Sequence, residues 1–341
     1  MTDPQNINAS PATMAAAVLE EFGAQLTVRS LARPSASPGT VVVRVAASGV
    51  NPLDTKIRAG SAAHARVSPP AVLGLDLAGV VEEVGEGVEA FRAGDEVFGL
   101  TGGVGDVQGS LAEYAAVDAE LLALKPASLT MAEAAALPLS VVTAWEGLVD
   151  RAAVHEGQTV LVHGGAGGVG HIAVQLAAAR GATVYATGSG ADLDRIRRLG
   201  AEPIDYRTTT VEQYVAEATG GEGFDVIFDT LGGATLDASF AAVRRYTGHV
   251  VSILGWGTHS LAPLSFRGAT YSGVFTLLPL LTGVGRAHHG EILRAAAALA
   301  EAGQLRPILH PDGYDLATVM DAHALVESGS ASGKVVVTVR G

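Results

Sequence analysis

Residues 163–170 read His-Gly-Gly-Ala-Gly-Gly-Val-Gly, between a strand-like run, Thr159–His163, and a helix-like run, Ile172–Arg180. Within this loop Gly165, Gly167 and Gly170 fit the pattern G-x-G-x-x-G. The first glycine allows a tight turn and the second lets the backbone approach a pyrophosphate. The third lets the helix pack closely on the strand, while the helix N-terminus offers N–H groups and a positive dipole end. Gly165, Ala166, Gly167, Gly168, Val169 and Gly170 are therefore candidates for holding a dinucleotide. A purely structural glycine turn is the alternative, and it accounts less well for the strand–turn–helix repeat that follows. The residue that reads the adenosine ribose should lie about 20 positions on. There the sequence runs Tyr185-Ala186-Thr187-Gly188-Ser189-Gly190, with no acid. A carboxylate would bond the free 2′-hydroxyl of NAD and repel the 2′-phosphate of NADP. Its absence, with Ser189 as a donor and Arg195, Arg198 and Arg207 nearby, favours NADPH and leaves NADH possible. Asp192 and Asp194 lie close by, and those arginines could equally form a solvated helix face.

A second group with chemical potential is Gly255-Trp256-Gly257-Thr258-His259, leaving the carboxyl end of the strand-like run His249–Leu254. Trp256 offers a face to a flat aromatic substrate, and His259 is a proton donor near neutral pH. The competing reading is a loop anchored by Trp with a solvated His. The pair His288-His289 falls at a loop–helix junction and reads as surface. With no Cys in the chain there is no disulfide, thiol nucleophile or thiolate metal site. No H-E-x-x-H occurs, and no metal site is expected. Tyr-x-x-x-Lys is absent and the only lysines are Lys56, Lys125 and Lys334, which excludes a short-chain reductase.

These residues need elements to hold them. Met14–Leu19, Thr40–Ala47, Val80–Val84, Glu96–Gly99 and Ala112–Val117 read as short strands punctuated by Pro38-Gly39, Gly85–Gly87 and Gly94-Asp95. That spacing predicts a mostly antiparallel, barrel-like module. Met131–Val149 is Ala- and Leu-rich and helical, interrupted by Pro138. From Thr159 strands and helices alternate: Thr183–Thr187, a helix over Asp192–Leu199, then Pro203–Tyr206, Asp225–Asp229, His249–Leu254 and Ala269–Phe275. This alternation predicts βαβ units and a parallel sheet. Glu291–Ala302 is helical, and Arg306–Leu309 and Lys334–Val339 read as further strands. At 341 residues the chain has room for about two domains. Its 48% hydrophobic and 17% charged content supports a large core and excludes disorder as a whole. The net charge of −13 has the wrong sign for nucleic-acid binding. The opening residues carry no basic n-region or apolar h-region, and no apolar run of 18 residues exists, so neither a secretory signal nor a membrane partner is expected. A loose tail over residues 1–13 and a cytoplasmic protein are the corresponding expectations.

Several ordered segments extend the pattern: Ala47-Ser48-Gly49-Val50-Asn51-Pro52-Leu53-Asp54, Leu73-Gly74-Leu75-Asp76-Leu77-Ala78-Gly79, Gly94-Asp95-Glu96-Val97-Phe98-Gly99, Leu137-Pro138 through Thr143-Ala144-Trp145, the glycine loop, and Gly333-Lys334-Val335-Val336. Together they resemble the medium-chain dehydrogenase/reductase superfamily, most closely its zinc-free quinone oxidoreductase branch, which includes zeta-crystallin. The resemblance covers nearly the whole chain from Met14. It implies an α/β protein in which a GroES-like, mostly-β catalytic domain (14–130 and 277–341) carries an inserted Rossmann domain (131–276), a doubly wound parallel sheet. In the superfamily's alcohol dehydrogenases a Gly-His-Glu segment supplies a zinc ligand; here it reads Gly74-Leu75-Asp76. The resemblance therefore implies zinc-independent reduction of a quinone or α,β-unsaturated carbonyl by NADPH, with a carbonyl/alcohol oxidoreductase or a non-catalytic NADPH-binding protein as alternatives. It also implies roles for single residues. Asn51 orients the nicotinamide ribose or the substrate, or alternatively makes an Asx-turn before Pro52. The Thr143 hydroxyl contacts the cofactor, and Tyr206 lies near the adenosine 2′-phosphate. Gly255 lets the backbone reach the carboxamide, Phe275 walls the site and Lys334 reaches the cleft. Two departures stand out. Asp192 occupies the place of a phosphate-binding Lys in some relatives, and Lys56 stands five residues after Asn51, where some relatives carry a Tyr. Loops around Arg58–Val67, Leu100–Ser110 and Trp256–Leu261 are expected to line the substrate cleft. A homodimer pairing the edge strand 269–275 with its twin is expected too.

Overall fold

The structure is a computed structural model that describes residues 12–339. The expected tail lies outside the described residues as far as residue 11, and Thr13 already belongs to a strand. In chain order the first part comprises β1 (Thr13–Leu19), β2 (Thr27–Ala32), β3 (Thr40–Val50), the short helix α1 (Pro52–Arg58), β4 (Ala71–Val72), β5 (Asp76–Val84), β6 (Glu96–Leu100), β7 (Tyr114–Asp118) and β8 (Leu122–Leu124). Pro138 splits the Ala/Leu-rich stretch into α2 (Met131–Ala135) and α3 (Pro138–Trp145), continued by a π-helical turn at Glu146–Arg151. A proline at the first position of α3 needs no N–H partner there, so a break followed by a new helix costs little.

The alternating part runs β9 (Thr159–Val162), α4 (Gly170–Ala179), β10 (Thr183–Gly188), α5 (Asp192–Arg198), β11 (Glu202–Asp205), α6 (Val211–Thr219), β12 (Val226–Asp229), α7 (Gly233–Ala242), β13 (His249–Ser252), α8 (Ala262–Arg267) and β14 (Thr270–Gly273). These six strands form one parallel sheet in the order β11-β10-β9-β12-β13-β14. Val160, Leu161 and Val162 are all fully buried, as a parallel strand covered by helices on both faces requires. The strand order reverses between β9 and β12, and a ligand crevice is expected beyond the carboxyl ends of the strands at that switch point.

The chain then returns through α9 (Leu278–Thr282), α10 (Arg286–Glu301), β15 (Tyr314–Asp315), α11 (Val319–Glu327) and β16 (Val335–Thr338). β16 runs antiparallel along β3, within a sheet ordered β15-β16-β3-β5-β6-β8 with β7 also on β3. β1 pairs β2 and β4 in a separate three-stranded sheet. A GroES-like, mostly-β part thus draws strands from both before and after the Rossmann sheet. The run Arg306–Leu309 is not a strand; only Leu309 makes an isolated bridge, to Lys334. Side chains of α4 take its backbone groups instead. Gln175 bonds both the N–H and the carbonyl of Arg306, each at 2.9 Å, and Ile308 N–H donates to His171 Nε2 at 3.3 Å. The strands β2, β4 and β15 carry no clear alternation and were not legible. Among the described residues no helix is long and apolar enough to cross a membrane.

Candidate active site

The glycine loop leaves the carboxyl end of β9 at the switch point. Gly164, with φ +69°, makes the left-handed turn, one residue before the position the G-x-G-x-x-G pattern assigns to it. Gly165 instead permits packing, since a Cβ there would lie 2.5 Å from the Ala186 Cβ on β10. A Cβ on Gly170 would overlap the Gly164 carbonyl, so the helix start cannot approach the turn with any other residue. Ala166, Gly167, Gly168, Val169 and Gly170 line a cavity of about 1080 Å³, and Gly165 does not. Among the described residues the amides of Gly168, Val169 and Gly170 have no hydrogen-bond partner, and they open a ten-residue helix. Beneath them His163 is buried, its Nδ1 3.4 Å from Thr187 Oγ1 and its Nε2 without a partner. Burial pushes its pKa down to about 4 against the raising effect of Asp229, so the ring is neutral at pH 7.

Gly188, Ser189, Asp192 and Tyr206, at the carboxyl ends of β10 and β11, line one end of the cavity. The exposed Tyr206 hydroxyl is held below its ordinary pKa by hydrogen bonds with Ser189 and then Arg207. Arg195 is drawn back onto Asp192, 3.4 Å away, and neither Arg195 nor Arg198 lines the cavity.

The other end is built by strand pairing. In the register of β16 on β3, Val335 faces Val50, so Lys334 and Asn51 are the next residues out. On the far side of β3, Gly49 faces Asp76 of β5. Lys334 donates to Asn51 Oδ1, Asn51 Nδ2 donates to Asp76 Oδ2 at 2.9 Å, and Lys334 Nζ lies 3.5 Å from that same oxygen. The Asn51 amide is therefore held at both ends. Asp76 Oδ1 accepts the Leu139 N–H at 2.7 Å. Asp54, in the first turn of α1, accepts the Asn51 N–H on Oδ2 at 2.8 Å, while its Oδ1 has no partner. Asn51, Asp54, Asp76 and Lys334 are all buried. Burial raises the pKa of both carboxyls, that of Asp54 to about 7. The Asn51 N–H and Lys334 pull Asp54 down and Asp76 pushes it up; Lys334 is the leading opposing influence on Asp76. Thr143 lines the same end and donates to the Leu139 carbonyl at 2.6 Å.

The mouth is aromatic. His64 stacks on Trp256 with ring centroids 5.2 Å apart, and both rings meet Phe275 edge-on, at 5.9 and 6.1 Å. All three line the cavity, as does the exposed Lys56, which makes no ion pair. Two expected residues stand elsewhere. Gly255 does not line the cavity; a Cβ there would overlap the Tyr271 hydroxyl, so it serves packing against β14. His259 is also off the cavity, because its Nδ1 bonds Asp237 of α7 at 2.8 Å and its ring packs edge-on against Phe240. The Leu100–Ser110 loop contributes no lining residue. Ser110 instead bonds Ser48 and the Asp76 carbonyl, each at 2.7 Å, bracing the strand that carries Asp76. His288 is exposed between Asp150 and Glu291, but His289 is fully buried against Glu146, contrary to a solvated pair. Asp54, Asp76, His163 and His64 were not singled out from sequence. The signals were present in Asn51-Pro52-Leu53-Asp54, a helix start with an acid at its third position, and in the acid of Gly74-Leu75-Asp76.

The donor set does not suit the zinc of the alcohol dehydrogenases. Leu75 cannot ligate, Asp76 is engaged by an amide, an ammonium and a backbone N–H, and no cluster of three potential ligands exists among the described residues. A dinucleotide fits, given the open amides of the loop, the orphaned His163 nitrogen and the long cavity between Ser189 and Asn51.

Residues 37–127 match the family of the alcohol dehydrogenase GroES-like domain, and residues 199–337 match the zinc-binding dehydrogenase family. The NADPH-dependent alkenal/one oxidoreductase, chloroplastic, of Arabidopsis thaliana is 35% identical over 338 residues, covering 96% of this chain and 80% of that protein. An alcohol dehydrogenase superfamily protein from Novosphingobium aromaticivorans shares 58% identity and a TM-score of 0.94, over 96% of this chain and all of that one. The quinone oxidoreductase of Coxiella burnetii shares 28% identity and a TM-score of 0.81 over the same fractions.

A carboxyl whose pKa is raised on folding contributes stability below its unfolded value near 3.8 and loses it as pH climbs through the folded value near 7. Asp54→Asn keeps the acceptor for the Asn51 N–H and removes the ionisation. Its stability margin over the parent should widen between pH 5 and pH 8 by on the order of 2–4 kcal/mol, read as a growing difference in melting temperature. Thermal melts that show the same difference at both pH values would contradict this.

Proposed function

The chain belongs to the medium-chain dehydrogenase/reductase superfamily, and from that premise we propose that it is an NADPH-dependent, zinc-independent reductase of α,β-unsaturated carbonyls and quinones. The observation that carries this reading is a single cleft joining a dinucleotide-type glycine loop to an apolar pocket with a locked Asn–Lys pair at its floor. The amides of Gly168, Val169 and Gly170 take the pyrophosphate at the N-terminus of α4. Ser189 and Tyr206 take the adenosine phosphate. Asn51, Thr143 and Lys334 hold the ribose at the opposite end, and Phe275 walls the ring. When bound, the cofactor supplies a hydride. The substrate lies between that ring and the side chains of Leu53, His64, Leu139, Trp256 and Leu277, which exclude water. Lys56, a cation on the cavity wall without an ion-pair partner, hydrogen-bonds the substrate oxygen as charge builds on it. The catalytic domain in this proposal comprises residues 14–130 and 277–341, with the Rossmann domain over 131–276 between them. A homodimer belongs to the same proposal. β14 is an edge strand, and Tyr246 and Phe266 beside it are each 85% exposed, an apolar border suited to a two-fold partner.

Absorbance at 340 nm, followed with NADPH against a 2-alkenal, 9,10-phenanthrenequinone and a simple ketone, tests the chemistry. The alkenal and the quinone should be reduced and the ketone left alone, with no effect of a chelator; turnover of the ketone alone, or loss of activity with chelator, would overturn the reading. Cofactor choice is a separate matter, since Asp192 sets a negative charge beside Ser189 and Tyr206. Asp192→Lys should lower the KM for NADPH about tenfold, ~1.4 kcal/mol, and leave that for NADH within about twofold; equal shifts for both would remove the 2′-phosphate from this end. Light scattering should return twice the monomer mass, and a Phe266→Lys variant should return the monomer.

A further inference from the structure

Beneath the ring end of the cleft lies a charge cluster that holding Asn51 does not by itself explain. It contains two carboxyls, Asp54 and Asp76, and one ammonium, Lys334. Lys334 lies 3.5 Å from Asp76, which also accepts from Asn51 and Leu139. Asp54 has no cation of its own. One of its oxygens takes the Asn51 N–H and the other has no hydrogen-bond partner, in a residue only 1% exposed. An unpaired carboxylate in such a place is costly, so the group keeps a proton until a positive charge arrives nearby. In the cofactor reading above, one such charge comes and goes at the Asn51–Lys334 end, because the nicotinamide ring is neutral when reduced and cationic when oxidised.

We propose that Asp54 is a positioning residue that stores a proton while the reduced cofactor is bound and releases it to solvent when the oxidised cofactor is bound, so that the cleft matches its own charge to that of the ring. The proposal rests on the cleft being a nicotinamide-dinucleotide site. Asp54 acts through Asn51, whose N–H it holds and whose side chain lines the cleft. With a pKa near 7, it is poised to change charge in the physiological range. The charged groups around it are few. Asp76 of β5 and Lys334 ahead of β16 act on it directly. α1 itself carries Lys56 and Arg58. From α11, packed on α1, come Glu327, ion-paired with Arg58 at 2.6 Å, and His323, pushed down to about 4 by burial and so neutral from pH 6 to 8. The 2′-phosphate of the cofactor titrates in this range as well, but alike in both oxidation states, so it cancels in their ratio.

The test is the ratio of dissociation constants, Kd(NADPH)/Kd(NADP⁺), for the purified full chain at pH 6 and pH 8, by nicotinamide fluorescence and its competition. A carboxylate formed at higher pH favours the cationic ring, so the ratio should rise about tenfold, equivalent to one pKa unit between the two complexes. In Asp54→Asn it should change by less than about twofold. A flat ratio in the parent, or a slope that survives Asp54→Asn, would overturn the proposal. Calorimetry of the parent protein at pH 7, in two buffers of different ionisation heat, decides the question even if the variant fails to fold. NADP⁺ should release a larger fraction of a proton than NADPH, and equal counts overturn the assignment. Failure of both dinucleotides to bind overturns the cofactor reading along with it, whereas binding of both with equal proton counts overturns the Asp54 assignment alone.

Discussion

The antiparallel pairing of β16 with β3 places Lys334 beside Asn51, 283 residues earlier in the chain, and the rest of the site is arranged around that closure. The Rossmann sheet lies between the two strands in sequence, so both ends of the chain must be in place before its crevice has a floor. A contact of this separation is entropically demanding to form, but once made it constrains everything between. Lys334 also passes the glycine loop, where a Cβ on Gly168 would lie 3.6 Å from the Lys334 Cδ. One side chain therefore relates the loop that takes phosphates to the asparagine at the ring end. His171 and Gln175 of α4 clamp the backbone at 306–308, and Ile308 in turn accepts the Lys334 N–H at 2.7 Å. The start of α4 and the start of β16 are thus tied through one short segment, which fixes the glycine loop relative to Lys334 and Asn51.

The charge at the floor is the second constraint. Removing one partner of a buried ion pair commonly costs 3–5 kcal/mol, because the other is left uncompensated. Lys334 and Asp76 form such a pair, completed by the Asn51 amide and the Leu139 N–H, and Ser48 and Ser110 brace the adjoining backbone. Asp76 also reaches across to α3 through Leu139, the helix that carries Thr143. A single carboxylate thereby orients three groups that line the cleft. Asp54 is buried beside this pair without a cation of its own, and both Asp76 and Lys334 act on it.

Much of this could be read from residue order alone. The glycine loop, the strand–helix alternation and the break at Pro138 are local signals, and local signals survive translation into structure. That Ser189, Tyr206, Phe275 and Lys334 line one cavity was legible because their segments resemble a family whose topology fixes where strand ends go. Asp54 and Asp76 were not, because each looks locally like something else: Asp54 completes a helix start, and Asp76 is one acid at the head of an apolar strand. Only the registers of β3 with β5 and β16 bring them to the same asparagine. His259 failed for the opposite reason. Its place after a strand end suggested the cleft, but Asp237, 22 residues away in sequence, turned it onto α7. The run Arg306–Leu309 has strand-like composition, yet side chains of α4 take both backbone groups of Arg306 and the Ile308 N–H, and only a single bridge to Lys334 forms.

The same cluster bears on which acceptors such a cleft can reduce. A metal would polarise a carbonyl oxygen directly, by several kcal/mol. Here the ammonium at the floor, Lys334, is paired with Asp76, so little of its field is left over for a substrate oxygen. Lys56 on the wall is exposed, and a single well-placed donor to an oxyanion contributes about 10²–10³-fold. A saturated ketone, whose hydride acceptor is the carbonyl carbon itself, needs more than that. A conjugated acceptor needs less, because its own π-system carries the incoming electron pair to the oxygen and spreads the charge. Flat, conjugated molecules also match the mouth, where Trp256, His64 and Phe275 present ring faces and edges within about 6 Å of one another. The pairing of Lys334 with Asp76 at the floor and the aromatic walls at the mouth therefore favour the same molecules, acceptors activated by their own conjugation.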